Sequence, residues 1–418
     1  MAALIYFLFI LLILVLIKNK SILIYLVLIQ VISLFGAIII DQDYIINNFV
    51  KTFNLIFTLF ILSIILFPWI KIDKIYSISV NNDIRVMRLT YFMIVVSIIP
   101  FIVFLFMTIF LIMHTENIYL IRSVKGELVD TYASMQMNSK LFTLSRYLYP
   151  ISYFLIPLHI FYLGKQKRRL SFLCFVFSLN ILLYGLTYYS RSVFVHYIFI
   201  YLGFLYMLRS TLDVKEKLLL KKSLFMLLFI CFFYLIYITS ERFGESTFYY
   251  NKISSNSLIQ DPLIYSYVDY MSQWYSNSMS LLETYMFVTF KGQISFKSIL
   301  DLIGNYTFIN YDVGNYIALI KTLWPNNWYT FNGLVAYSVY DYGYMLTILL
   351  SFIYFFVISS IKLNNNQIDL NTLFILILLI QIPLMSIFYT TVDVLIMPAL
   401  YLMPIYFYLR GGFNRSTN

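Results

Sequence analysis

The sequence predicts an all-α polytopic membrane protein. Three observations predict it. Of 418 residues, 61% are hydrophobic and only 11% are charged, against about 25% charged in an ordinary soluble domain. The apolar residues gather into stretches near the roughly 20 residues that cross a bilayer as a helix. No series of short alternating segments suggests a membrane β-barrel. With 40 Phe and 39 Tyr, the chain is also far too aromatic to be disordered.

Taken in order, the predicted spans cover residues 2–17, 21–40, 52–70, 89–113, 142–164, 170–187, 192–208, 223–239, 343–361, 371–388 and 392–409, eleven in all. Helices are expected because backbone polar groups in lipid must be satisfied within the segment. The first stretch has no positive n-region and no A-x-A-like cleavage site, so it reads as a retained span rather than a removed signal. Cys174 and Cys231 both fall inside spans and read as small packing residues.

Orientation follows the basic residues. With the N-terminus outside, the inner connections hold most of the 29 Lys and Arg. These include Lys18, Lys20, Lys71, Lys74, Arg85, Arg88, Lys165, Lys167, Arg168, Arg169, Arg209, Lys215, Lys217, Lys221 and Lys222. Most acidic residues fall outside. The net charge of +10 is therefore mainly a topology signal. Nucleic-acid binding would need a basic patch on a folded domain, and the inner side has only short connections.

The whole chain reads as a single integral membrane domain, residues 1–418, with two longer outer connections. Residues 114–141 form a modest first outer loop. Residues 240–342 form a large one, and loops of that length are usually functional or disordered. Disorder does not fit, because this loop holds Trp274, Trp324 and Trp328, three of the four tryptophans. Ser278–Phe290 and Ser295–Ile303 are semi-apolar and are expected to lie as amphipathic helices on the membrane surface. Recognition or chemistry is thus expected at the outer face, where aromatic rings can stack on sugars or sit at the interface.

Ionisable residues at span ends are the candidates for chemistry. Arg146 lies just inside the fifth span. Arg191 and Ser192 open the seventh, and His196 lies one turn further in. Arg242 follows the eighth, and Asp341 precedes the ninth. A guanidinium stays charged and grips phosphate oxygens in pairs. A helix start adds free N–H groups and a positive dipole end. A diphosphate leaving group held there would be stabilised as its charge develops. The alternative for each arginine is snorkelling to the headgroups.

His196 shares a helix face with Ser192 but points about 140° from Arg191. It reads either as a general base or as a hydrogen-bonded packing histidine. Asp341, Asp312, Glu283 and Glu241 are the outer carboxylates near the aromatic loop, and sequence does not choose among them as a base. Asp341 reads equally as an N-cap. Asp41-Gln42-Asp43 has D-x-D spacing but is too short to be a metal motif on its own. No metal site, P-loop or nucleophile elbow is present, and no cofactor is expected.

Thr187-Tyr188-Tyr189-Ser190-Arg191-Ser192, opening a span, resembles the S-R-S element of the Wzy-type O-antigen and capsule polymerases. Trp328-Tyr329-Thr330-Phe331, followed by Tyr340-Asp341-Tyr342-Gly343, resembles the segment before that family's late spans, where Phe often stands at the place of Tyr342. The layout of spans and one dominant outer loop is similar along nearly the whole chain. The resemblance implies a glycosyltransferase of the bacterial inner membrane with its active face periplasmic or external. Its substrate would be an undecaprenyl-diphosphate-linked oligosaccharide, used to build lipopolysaccharide or capsule. Arg191 and Arg242 would contact the diphosphate, and Asp341 and Tyr340 would lie at the site. Arg191, Arg242, Asp341 and His196 are thus the catalytic candidates. Arg146, Ser192, Tyr340, Trp328 and Trp274 are the substrate-binding ones. Membrane lipid, a flippase and a chain-length regulator are the expected partners.

Two other readings compete. An O-antigen ligase would share the lipid-linked donor. A flippase or transporter would place charges along a path at the bilayer midplane, in paired repeats; here they cluster at one face.

Overall fold

The computed structural model describes residues 10, 12–14, 16, 22–40, 49–72, 75–114, 140–243, 253, 257–285, 289–296, 299–300, 331–363, 365–388 and 392–410. Described elements run α1 (Ile22–Ile40), α2 (Phe49–Leu66), β1 (Ser77–Ser79), α3 (Asp83–His114), α4 (Lys140–Leu148), α5 (Ser152–Gly164), α6 (Arg168–Ser178), α7 (Asn180–Leu186), α8 (Arg191–Leu208), α9 (Val214–Phe243), α10 (Pro262–Glu283), α11 (Gly333–Ser360), β2 (Gln367–Asp369), α12 (Leu370–Leu379), α13 (Gln381–Met385) and α14 (Val392–Arg410). Among the described residues, seven helical stretches are long and apolar enough to cross a membrane: 22–40, 52–71, 83–113, 168–186, 191–211, 214–241 and 333–360. The fold is all-α, as the composition requires. Most of the span at 2–17 and most of the loop at 114–141 lie outside the described residues.

The chain forms two compact units. Unit 1 holds residues 1–73, 252–362 and 378–396. Here α10 packs on α1, and α11 packs on α2. Asp261 starts α10 by accepting the Ile264 N–H at 2.8 Å, with Pro262 in the first turn. This places α10 inside the predicted outer loop, yet the surface-helix expectation for Ser278–Phe290 does not hold. Ser278, Leu281 and Leu282 are buried, because α10 carries enough apolar surface to be drawn against α1. The indole N–H of Trp274 donates to Ser33 at 2.5 Å, and Ser33 donates to the Met271 carbonyl. Gln30 donates to Ser386 at 2.7 Å. At the far end of α2, the fully buried Trp69 donates to the Tyr354 hydroxyl at 2.9 Å.

The α11 helix starts ten residues before the predicted span, at Gly333, and breaks at Gly343 (φ 78°, ψ 170°). That backbone region is open essentially to glycine alone. The rhythm of hydrophobic residues resumes at this break, which is why sequence places a boundary there.

Unit 2 holds residues 74–251, 363–377 and 397–418. Its centre is α5, buried from Ser152 to Leu163 on every face, as expected for a helix apolar all round. Buried polar side chains pin its neighbours. Asn180 donates to the Ser97 carbonyl and to Ser152, joining α7, α3 and α5. Thr90 pairs with Tyr162, and Ser178 with Tyr197. The predicted spans at 142–164 and 170–187 are each broken, by a 3₁₀ turn at Tyr149–Ile151 and by Leu179 between α6 and α7. Pro150 in the first case has no N–H to continue the ladder. β1 pairs in parallel with β2, Ser77 opposite Gln367.

Large apolar residues face outward on both units: Met345 is 82% and Phe225 73% exposed. On α9, Phe225, Phe229 and Phe233 form a stripe of neighbouring, mutually tilted rings along one exposed face. Such an outside suits lipid rather than water.

Candidate functional site

The sequence-predicted residues fall into two groups, one in each unit. In unit 2, the chain leaves α7 through a tight reversal in which the Gly185 carbonyl accepts the N–H groups of both Tyr188 and Ser190. A Cβ at Gly185 would meet Val193 at 2.9 Å, so glycine permits α7 and α8 to approach here. Tyr189 then takes a left-handed conformation (φ 47°), uncommon for a bulky residue. Its ring is buried with Leu111 and Ile238. That burial holds the turn.

The turn delivers Arg191 to the first position of α8. Ser190 before it is extended and makes no side-chain cap, so no capping side chain competes for the first-turn N–H groups. Ser190 and Ser192 hydroxyls lie 3.0 Å apart. Arg191 is 7% exposed, and its Nη1 donates to the Thr239 hydroxyl on α9 at 3.3 Å. Arg242 is three residues further along the same helix, so its backbone stands one turn beyond Thr239; its side chain lies outside the described residues.

Arg146, on α4, is exposed, and its guanidinium lies beside Tyr184, Tyr188 and Tyr149. The Tyr149 and Tyr184 rings stack at 4.4 Å. Phe142 on α4 and Tyr188 after α7 pack on one buried cluster. Arg146 and Arg191 are therefore both tied to the 184–191 reversal. His196 is only 3% exposed, with its ring 5.9 Å from Tyr153, the geometry of a packing histidine.

In unit 1, Asp341 is fully buried. Its two carboxylate oxygens accept the backbone N–H groups of Ile294 (3.1 Å) and Ser295 (2.9 Å). The Gly292 N–H donates to its carbonyl, and the Phe290 N–H to that of Tyr340. Tyr340 donates to the Leu281 carbonyl at 3.0 Å and lies 3.1 Å from the Thr284 hydroxyl. Residues 290–295 are thus clasped onto α11 just before its break. Asp341 does not cap the start of a span: it lies inside α11, and its carboxylate receives the N–H groups of the 294–295 turn instead. Trp274 is 2% exposed, so in this conformation its ring has no face open to a sugar.

Sequence reasoning missed Thr239, although it stands one turn from Arg242. It also missed the tyrosines around Arg146 and the clasp, which depends on contacts between distant segments. Trp328, Trp324, Asp312 and the Asp41–Asp43 pair lie outside the described residues. Among the described residues, no cluster of His, Cys, Asp or Glu could hold a metal ion. Both cysteines are free and buried.

No protein-family model, curated protein or solved structure matches this chain significantly.

Proposed function

We propose that this chain is a glycan polymerase. In this reading it transfers an undecaprenyl-diphosphate-linked oligosaccharide onto the next lipid-linked repeat unit at the outer face of a bacterial inner membrane. The N-terminus is outside, and eleven helices cross the bilayer. The observation that carries the reading is Arg191. It is a buried guanidinium at an uncapped helix start, anchored to the helix that also bears Arg242. A buried arginine with helix N–H groups beside it suits a diphosphate.

The chemistry would run as follows. An acceptor sugar hydroxyl oxygen bonds to the anomeric carbon of the donor, and its proton is released. The bond from that carbon to the diphosphate breaks, and the bonding pair leaves with undecaprenyl diphosphate. Arg191 and Arg242 neutralise charge that grows on the leaving oxygen. Arg146 and its tyrosines would face the adjoining part of the substrate.

Arg191→Ala should abolish long surface-glycan chains and leave single capped repeat units. Arg191→Lys should also be poor, since an ammonium lacks the paired donors. A normal long-chain ladder on a gel from Arg191→Ala cells would overturn the assignment.

A further inference from the structure

At the end of unit 2 remote from Arg191, β1, α3, α12 and α14 enclose a small cleft. It is lined by Ser79, Asn81, Asn82, Arg85, Asn371 and Leu409 among others and has a volume of about 30 Å³, room for about two waters. We propose that this cleft seats the phosphodiester headgroup of a membrane phospholipid, one whose headgroup carries a hydrogen-bond donor beyond the phosphate. Phosphatylglycerol and phosphatidylethanolamine have such a donor; phosphatidylcholine does not. The inference does not depend on the polymerase reading.

Four observations support it. Arg85 is half-buried, and its guanidinium makes no hydrogen bond or ion pair among the described residues. The acids nearest to it are already engaged. Asp83 pairs with Lys165 at 3.1 Å, and Asp369 accepts the N–H and hydroxyl of Thr372. Asp369 also lines the cleft and keeps its charge, so the cleft holds one cation, Arg85, suited to a phosphate, beside one carboxylate that can accept a further donor. Second, the Asn371 Oδ1 atom is buried and has no donor among the described residues. A buried acceptor without a donor is destabilising, and a glycerol hydroxyl or ammonium would satisfy it.

Third, Asn82 spends its carbonyl on the Arg85 N–H at 3.0 Å, leaving its amide N–H₂ as a donor. Val86, Leu370 and Leu409 supply an apolar wall beside these groups, and Ile84 next to them is 59% exposed. A polar floor with an apolar wall is what a headgroup and its first acyl carbons meet. Fourth, this end of the unit is basic. The Lys165–Asp83 pair joins it to the turn bearing Lys167, Arg168 and Arg169, and basic helix ends favour phospholipid headgroups.

The test is native mass spectrometry of the purified full chain, delipidated and then titrated separately with each of the three phospholipids. Adducts with phosphatidylglycerol and phosphatidylethanolamine should exceed those with phosphatidylcholine several-fold. Arg85→Gln should remove most of that excess, while Arg88→Ala, an exposed arginine one turn away, should leave it intact. Asn371→Asp keeps an acceptor and adds negative charge, so it should shift preference from phosphatidylglycerol to phosphatidylethanolamine. Gel filtration of each variant checks that it is folded. Equal adducts for all three lipids, an unchanged pattern in folded Arg85→Gln, or the same loss in Arg88→Ala would overturn the site. Full competition by soluble glycerol phosphate at the same concentration would assign the cleft to free phosphate esters and overturn the lipid reading.

Discussion

The Arg191 guanidinium donates to the Thr239 hydroxyl, 3.3 Å away on another helix. That hydroxyl is itself oriented, because it donates to the Leu235 carbonyl at 2.6 Å. The arginine is thereby tied to α9, the helix that also bears Arg242.

Thr239→Val keeps the shape and removes the acceptor. A hydrogen bond to a charged group contributes about 1.5–3 kcal/mol, so glycan output should fall about tenfold or more. Thr239→Ser should restore it. Densitometry of surface-glycan ladders separates the two variants. Equal output from Val and Ser would show that Thr239 does not position Arg191.

Asp341→Asn replaces one carboxylate oxygen with an amide that cannot accept the N–H it faces. The clasp over residues 290–295 should loosen by about 2 kcal/mol. Limited proteolysis with trypsin reads this directly, since the exposed Lys291 lies within the clasped segment. Faster cleavage at Lys291 is expected. Lost glycan synthesis with unchanged cleavage would instead make Asp341 a reacting group.

Gly343→Ala forces a side chain into a conformation at φ 78°, ψ 170°. The strain is about 1–3 kcal/mol. A lower thermal midpoint in detergent should follow. An unchanged midpoint would mean that α11 straightens at no cost.

Membrane orientation is open to labelling. Gln260 is exposed just before α10, and Arg169 is exposed at the start of α6. Gln260→Cys should react with an impermeant thiol reagent in intact spheroplasts, and Arg169→Cys only after lysis. The native Cys174 and Cys231 are buried and should stay silent. The opposite pattern would invert the topology.

Much of the fold was legible because lipid imposes one strong rule, a run of apolar residues per helix. The breaks within those runs were less so. Pro150 marks one, and Pro383 another at Leu379–Ile380, because a proline frees the carbonyl four residues before it; Leu179 carries no helix-breaking side chain, and nothing local explains the interruption there. The same limit applies to α10. The semi-apolar stretch Ser278–Phe290 at its end suggests a surface helix, yet Ser272, Asn277 and Ser278 are buried, and Asn277 donates to the carbonyl of the distant Phe331, a pairing that sequence does not give. Arg191 stood out because it opens a span at the predicted outer face, within Ser190-Arg191-Ser192. Thr239, with no charge and no motif, became visible only through its partner.

The length of α9 adds a mechanical condition. Thirty residues extend about 45 Å, while the hydrocarbon layer is about 30 Å thick. Lys222 and Arg242 are separated along it by about 30 Å, so each polar end has little slack. With the lysine end fixed in the headgroups, a thicker bilayer would draw the arginine end down and a thinner one would lift it clear. The host membrane's thickness would then set the height of Arg242, making lipid chain length a control on the site that no residue encodes.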